Sequence, residues 1–189
     1  MSSMPSRSRP DTLYEALEAL PEGVNGEIIA GQLYAFPRPA ARHGLAASNI
    51  GGDLVNPFSR GRGGPGGWWN IVEPEVHFVR DVELTVPDLA GWRRGRMPEL
   101  PDDHRFQVVP DWVCEILSPS TASHDRETKM PLYARHGVGH AWVVDPKAGR
   151  LEAFELVDGT WRDIGVFEGD ASIRVAPFDA IEIDPPWKA

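Results

Sequence analysis

The sequence predicts an α/β (α+β) fold in which a central mixed β-sheet is flanked by helices. The chain has 189 residues, of which 41% are hydrophobic and 25% charged, as is typical of a globular protein with one hydrophobic core. Short apolar runs of strand length alternate with segments of helical spacing. The passage from residue 112 to residue 144 has the pattern strand, helix, strand, which indicates a crossover connection inside a mixed sheet.

The N-terminal third is predicted to contain a helix, a hairpin and a second helix. Leucines recur at helical spacing between residues 11 and 20, and Pro21 follows them. Residues 27–36 alternate around Ala30 and Gly31, which favours a hairpin. Residues 43–58 have the apolar spacing of a helix. We expect residues 1–10 to be a flexible N-terminus and residues 11–189 to form a single domain.

The rest of the chain is predicted to supply the sheet. Pro131 would lie in the first turn of a helix or kink it, and Asp158-Gly159 suits the type I′ turn of a hairpin. The predicted strands are residues 69–79, 84–92, 112–117, 141–144, 151–156 and 161–167, and a helix is predicted for residues 120–136.

Composition limits the classes of function. A formal net charge of −9 argues against a broad electrostatic grip on nucleic acid. No apolar run approaches the roughly eighteen residues of a membrane span, and the start of the chain lacks a secretory signal, so we expect a cytoplasmic protein without membrane association. Arginines of the middle third either line a phosphate-facing rim or are ordinary solvated residues: Arg38, Arg42, Arg60, Arg62, Arg93, Arg94 and Arg96.

Glu115 is the most informative residue. It lies inside the strand-like run WVCEIL, where a carboxylate is costly to bury unless a cation or a hydrogen-bond network compensates it. Strand alternation places Val113, Glu115 and Leu117 on one face, and the neighbouring Cys114 is expected to be a buried structural thiol. The alternative for Glu115 is an ion pair with arginine or an edge-strand position facing water.

A second carboxylate, Asp88, occurs in the strand-like ELTVPDLAGW, although a turn position is its alternative. Two carboxylates a few ångströms apart repel each other, and a divalent cation between them relieves that repulsion. Oxygen ligands favour Mg²⁺ or Mn²⁺ over Zn²⁺. Asp125 and Lys129 are four residues apart, so on a helix they share a face and Lys129 can reach the metal; a surface ion pair is the alternative.

Five segments occur in a characteristic order: GEIIAGQLYAFPRPAARH, VPDLAGW, PDWVCEILSPST, DRETK and YARHGVGHAWVVDP. Together they resemble the PD-(D/E)XK nuclease superfamily, and more closely its Uma-two family of restriction endonucleases. The resemblance spans residues 11 to 157. It implies a restriction-endonuclease-like fold and Mg²⁺-dependent hydrolysis of DNA phosphodiester bonds.

The resemblance also implies roles for single residues. Asp88 and Glu115 would ligate the metal together with the main-chain carbonyl of Ile116, and Lys129 would orient the attacking water or stabilise the phosphorane. The motif lysine of the superfamily is expected at residue 117, but this chain has Leu117, so Lys129 is the expected substitute.

Some other residues of this chain are weaker candidates for the site. Glu75 would complete the metal site, and the substrate contacts would be Glu27, His43, Arg93 and Arg94. A homodimer is expected, because a single site cuts one strand at a time. Two other functions remain open: a catalytically silent module for nucleic-acid binding or dimerisation, and a hydrolase of small phosphodiesters.

Overall fold

The computed structural model describes residues 11–37 and 40–188, which form four α-helices and eleven strands. The helices are α1 (Leu13–Glu18), α2 (Ala41–Leu54), α3 (Ala122–His124) and α4 (Met130–His136), with π-helical turns at Val55–Ser59 and Asp125–Lys129. The strands are β1 (Val24–Ile29), β2 (Gln32–Pro37), β3 (Trp68–Val72), β4 (Glu75–Val79), β5 (Glu83–Thr85), β6 (Leu89–Arg93), β7 (Arg105–Phe106), β8 (Trp112–Ile116), β9 (His140–Asp145), β10 (Arg150–Val157) and β11 (Thr160–Glu168).

The strands form two mixed sheets. The first has the order β2-β1-β5-β4-β7 and the second the order β11-β10-β9-β8-β6-β3. The pairs β4·β7 and β8·β9 are parallel, and the other named pairs are antiparallel. The predicted α+β class is confirmed, with two mixed sheets where the sequence suggested one, and the strand-helix-strand passage joins the parallel pair as expected.

Two segments predicted as continuous strands pass from one sheet to the other, so that prediction was wrong. The chain leaves β3 of the second sheet and enters β4 of the first at Glu73 and Pro74, and it returns from β5 to β6 through Pro87. A proline has no N–H for a strand ladder, which favours a break in pairing at both places. The two crossings adjoin, because the Glu73 amide donates to the Asp88 carbonyl at 3.0 Å. They form the seam between the sheets.

Strand β8 is the centre of the second sheet and is buried along its whole length. Trp112, Cys114 and Ile116 belong to the hydrophobic cluster on one face, and Val113 belongs to the cluster on the other face. The predicted alternation and the burial of Cys114 are therefore confirmed.

The local elements follow their sequence signals. Thr12 caps α1 through a capping box with Glu15. Pro131 lies in the first turn of α4, directly after the second π-helical turn. Asp158 and Gly159 both have positive φ, as a type I′ turn requires.

Residues 169–188 contain one isolated bridge and no named strand or helix. In residues 11–37 and 40–188, no helix is both long and apolar enough to cross a bilayer. The predictions for the first ten residues and for Arg38 fall outside the described residues.

A glycine in the middle of β6 gives a test of the packing. A Cβ on Gly91 would lie 2.8 Å from Asn70 Oδ1 and 3.2 and 3.3 Å from the ring carbons of two buried tryptophans, Trp112 and Trp68. We expect Gly91→Ala to lower the free energy of unfolding by about 1–3 kcal/mol, the usual cost of overpacking. Chemical denaturation measures this. Gly95→Ala is the control, because a Cβ there meets no atom within 4 Å; equal stability of both variants would contradict the packing.

Candidate active site

A cavity of about 320 Å³ opens at the seam between the two sheets. Its wall includes residues of both crossings, Glu73, Val86 and Asp88, together with the end of β8 and the segment that follows it. The titratable residues that line it are Glu27, His43, Glu73, Asp88, Glu115, His124, Asp125 and Lys129. We call it the acidic pocket.

Asp88 and Glu115 lie side by side on neighbouring strands. Strands β6 and β8 pair with Leu89 opposite Cys114, so one step further Asp88 faces Glu115. The Ile116 amide donates to Asp88 Oδ2 at 2.6 Å, which fixes this carboxylate against β8. The structure thus brings together the two carboxylates and the main chain of Ile116, which the sequence analysis assigned to one site.

Glu115 is 1% exposed and its carboxylate is fully engaged. Lys129 Nζ lies 2.8 Å from Oε1 and 2.9 Å from Oε2, and the Tyr133 hydroxyl donates to Oε1. The cation and the hydrogen-bond network that a buried mid-strand carboxylate requires are both present. The exposed-edge alternative for Glu115 is therefore wrong.

Lys129 reaches Glu115 from the second π-helical turn. Its ammonium also contacts Glu27 Oε1 at 2.9 Å, the Val86 carbonyl at 3.4 Å and Asp125 Oδ1 at 3.8 Å. Lys129 is 4% exposed, so the alternative of a surface ion pair between Asp125 and Lys129 is wrong. One buried ammonium joins carboxylates from β1, β8 and the π-helical turn.

The charge states follow from burial and pairing. Burial opposes the charge of Lys129, but Glu115 and Glu27 outweigh it and raise the pKa of Lys129 well above its usual value. Burial also opposes ionisation of Glu27, yet Lys129 and His124 lower its pKa. Burial raises the pKa of Glu115 well above its usual value despite Lys129, and the carboxylates around it add to this. Among the described residues that line the pocket, five carboxyl groups therefore face one ammonium group.

His43 stands on α2 beside Asp88. Its Nε2 lies 3.0 Å from Asp88 Oδ1, and its buried Nδ1 has no hydrogen-bond partner among the described residues. Burial lowers the pKa of His43, but the hydrogen bond and the charge of Asp88 outweigh burial and raise it. Within the described residues His43 thus binds Asp88 through one ring nitrogen and keeps the other buried without a partner.

Glu27 is held on its other side by residues that the sequence did not point out. Its Oε1 accepts from the Val86 amide at 2.9 Å, and its Oε2 lies 2.9 Å from His124 Nε2. The rings of Tyr34 and Phe36 pack on His124. Tyr133 was also missed, although its position four residues after Lys129 is the signal that could have placed it on the same helical face.

Glu75 is not brought to the acidic pocket. Its Oε1 accepts from Tyr14 at 3.0 Å and lies 2.6 Å from His77 Nε2, at the edge of a different cavity. The carboxylate that lines the acidic pocket from this segment is Glu73, two residues earlier. The break between β3 and β4 explains the difference, because a continuous strand would have kept Glu73 and Glu75 on one face.

Arg93 and Arg94 also lie away from the acidic pocket. They stand at the opposite end of β6 from Asp88, five residues along a strand that rises about 3.3 Å per residue. The Arg93 guanidinium lies over the Trp68 ring at 4.7 Å and that of Arg94 over the Trp69 ring at 3.8 Å. The structure therefore does not place Arg93 or Arg94 where they could contact a substrate bound at the carboxylates of the acidic pocket.

The donor set suits Mg²⁺ or Mn²⁺ in kind, because carboxylate oxygens surround a pocket with excess negative charge. In residues 11–37 and 40–188, no three His, Cys, Asp or Glu side chains are already spaced as metal ligands. Both oxygens of Glu115 contact Lys129, and Asp88 contacts Ile116 and His43. Binding of a divalent cation would therefore require Glu115 and Asp88 to give up part of these contacts.

Comparison with known proteins gives one family and one fold. The family model described as "Putative restriction endonuclease" matches residues 12–185. No curated protein matches the chain. A crystal structure described as a "putative nuclease belonging to DUF820", from Anabaena variabilis ATCC 29413, is similar with a TM-score of 0.74 and 23% identity, over 93% of this chain and 96% of that chain. At this identity the similarity shows the fold.

The ion-pair network predicts the effect of removing the ammonium. Lys129→Met would leave Glu27 and Glu115 buried without a cation, so we expect the free energy of unfolding at neutral pH to fall by about 3–5 kcal/mol. Acidic pH protonates the two carboxyl groups and should reduce this loss. Denaturation over a pH series measures it. The exposed Lys147→Met removes the same charge as a control; a similarly small effect of both would refute the network.

Proposed function

The chain belongs to the Uma-two family of restriction endonucleases, and from this premise we propose that it is a Mg²⁺-dependent endonuclease that hydrolyses DNA phosphodiester bonds at the acidic pocket. The observation that carries the proposal is the direct juxtaposition of Asp88, Glu115 and Lys129. A nuclease of this kind would act on cytoplasmic DNA. Cutting both strands would take two sites, which favours a homodimer.

Asp88 and Glu115 are the residues that would hold the cation, with the Ile116 carbonyl as a neighbouring oxygen. When bound there, Mg²⁺ would supply Lewis-acid activation of a phosphoryl oxygen. The main chain of β8 positions both carboxylates, because Glu115 belongs to it and Asp88 accepts a hydrogen bond from it. Their separation is thus set by the sheet itself.

Lys129 acts in this proposal as a hydrogen-bond donor and a fixed positive charge. Glu115 and Glu27 raise its pKa, so we assign it the role of a group that holds its proton rather than that of a general base. A permanent ammonium beside a phosphate stabilises the negative charge that develops during attack by water. Glu27 also binds the ammonium of Lys129. If Glu115 turns towards a cation, Lys129 therefore keeps Glu27 as its partner.

Plasmid nicking tests the proposal. We expect nicking of supercoiled plasmid in the presence of Mg²⁺ or Mn²⁺, and a loss of at least about a hundredfold in Glu115→Gln and in Asp88→Asn, as when one group that stabilises a transition state is removed. Glu127→Gln removes an exposed carboxylate from the adjacent π-helical turn and should nick normally.

Equal nicking by the wild type and both pocket variants would place the activity elsewhere. No nicking by any of them, with the fold intact by circular dichroism, would favour the silent-module function.

A hydrolase of small phosphodiesters is the second candidate. Among the described residues that line the acidic pocket, Lys129 is the one lysine or arginine, so the pocket itself offers little grip on a long polyanion. This candidate predicts turnover of bis(p-nitrophenyl) phosphate with a specificity constant at least equal to that for an oligonucleotide. A specificity constant that rises with oligonucleotide length would contradict it and support the endonuclease.

A further inference from the structure

Eight arginines are ion-paired to carboxylates, at Arg80, Arg96, Arg105, Arg126, Arg135, Arg150, Arg162 and Arg174. In a chain with a net charge of −9, pairing is the expected state of an arginine. Four that are not paired to any described carboxylate lie at one end of the second sheet: Arg60, Arg62, Arg93 and Arg94. We call them the arginine cluster.

Main-chain and side-chain bonds bring this cluster together from two distant segments. Arg94 donates through Nη2 to the Ser59 carbonyl at 2.7 Å and through its amide to the Gly67 carbonyl at 2.9 Å. The loop that carries Arg60 and Arg62 is thereby fastened beside the end of β6. It folds back on itself, since the Gly66 amide donates to the Pro57 carbonyl at 2.8 Å.

Two members of the cluster are held in fixed orientations. The guanidinium of Arg93 stacks over Trp68 and that of Arg94 over Trp69. The Nε of Arg94 is buried and has no hydrogen-bond partner among the described residues. Arg94 therefore fastens the loop, whereas the guanidinium of the exposed Arg93 forms no side-chain hydrogen bond among the described residues and can donate to a phosphate.

A second cavity extends from the acidic pocket in the direction of this cluster. This cavity, of about 540 Å³, shares His43, Glu73 and Asp88 with the acidic pocket and runs between α2 and β3 as far as Asn70. Asn70 Nδ2 donates to Ser59 Oγ, and Ser59 is the residue whose carbonyl binds Arg94. The cavity that begins at Asp88 therefore ends at Asn70, which is bonded to the loop that carries part of the cluster.

We propose that the arginine cluster anchors the phosphate backbone of duplex DNA while a phosphate of the same duplex lies at the acidic pocket. This inference rests on the proposed function. Five residues of β6 separate Asp88 from Arg93, or about 17 Å, since a strand rises about 3.3 Å per residue. A duplex advances about 3.4 Å per base pair, so about five base pairs span the two sites. The anchor supplies the cationic grip that the acidic pocket lacks.

Binding of a fluorescein-labelled duplex, measured by anisotropy in EDTA over a salt series, tests the anchor apart from cleavage. Arg60→Gln with Arg62→Gln should reduce the magnitude of the slope of log K against log salt by about 2, because each phosphate contact contributes about 0.9. Both side chains are exposed and form no hydrogen bond among the described residues, so the fold should persist.

The matched control, Arg162→Gln with Arg174→Gln, removes the same charge from exposed, ion-paired residues and should leave the slope unchanged. Equal slope changes in the two double variants, or no salt-dependent binding by the wild type, would overturn the anchor. Normal binding without nicking would overturn the proposed function and leave the anchor standing. Metal-dependent plasmid nicking that is lost in Glu115→Gln, together with equal slope changes in the two double variants, would overturn the anchor and leave the proposed function standing.

Discussion

The buried ammonium of Lys129 is the interaction on which the rest of the molecule depends. It contacts Glu27 of β1, in the first sheet, and Glu115 of β8, in the second sheet. One side chain therefore links two sheets that are otherwise joined by chain crossings and apolar packing. Because Glu27 and Glu115 are also buried, loss of the ammonium would leave both carboxyl groups without a compensating charge.

The position of the acidic pocket follows from how the chain passes between the sheets. Both crossings, at Pro74 and at Pro87, end a strand of one sheet and begin a strand of the other at the same seam. Polar side chains collect there because main-chain pairing is interrupted and side chains can turn towards the opening. The cluster of acids is stable only with compensating charge, which Lys129 supplies in part and a divalent cation would complete.

The sequence predicted the fold class and the proximity of Asp88, Glu115 and Lys129, because their signals are local. The alternation in WVCEIL predicted which residues share a face of β8. The position of Glu115 inside this strand predicted a cation beside it, and Lys129 is that cation. The misplacement of Glu75 has a different origin. Sequence periodicity does not reveal that a strand changes sheets, so Glu73 rather than Glu75 reached the pocket.

Other features depend on tertiary contacts that no spacing encodes. His124 meets Glu27 across 97 positions of the chain, and the loop at Ser59 meets Arg94 across 35. The arginines and Asp88 lie at opposite ends of β6, so the length of this strand separates them. Arg93 and Arg94 were predicted to contact substrate, but their distance from the carboxylates depends on the length of β6 and not on any local pattern.

We propose above that Asp88 and Glu115 bind a divalent cation, and binding there would shift Lys129 from Glu115 towards Glu27. Diffraction from crystals grown with Mn²⁺, recorded at a wavelength where manganese scatters anomalously, tests it most directly. We expect an anomalous peak between the carboxylates of Asp88 and Glu115, with Lys129 still bonded to Glu27. Saturating Mn²⁺ with no peak there, and Lys129 still in contact with both oxygens of Glu115, would contradict it.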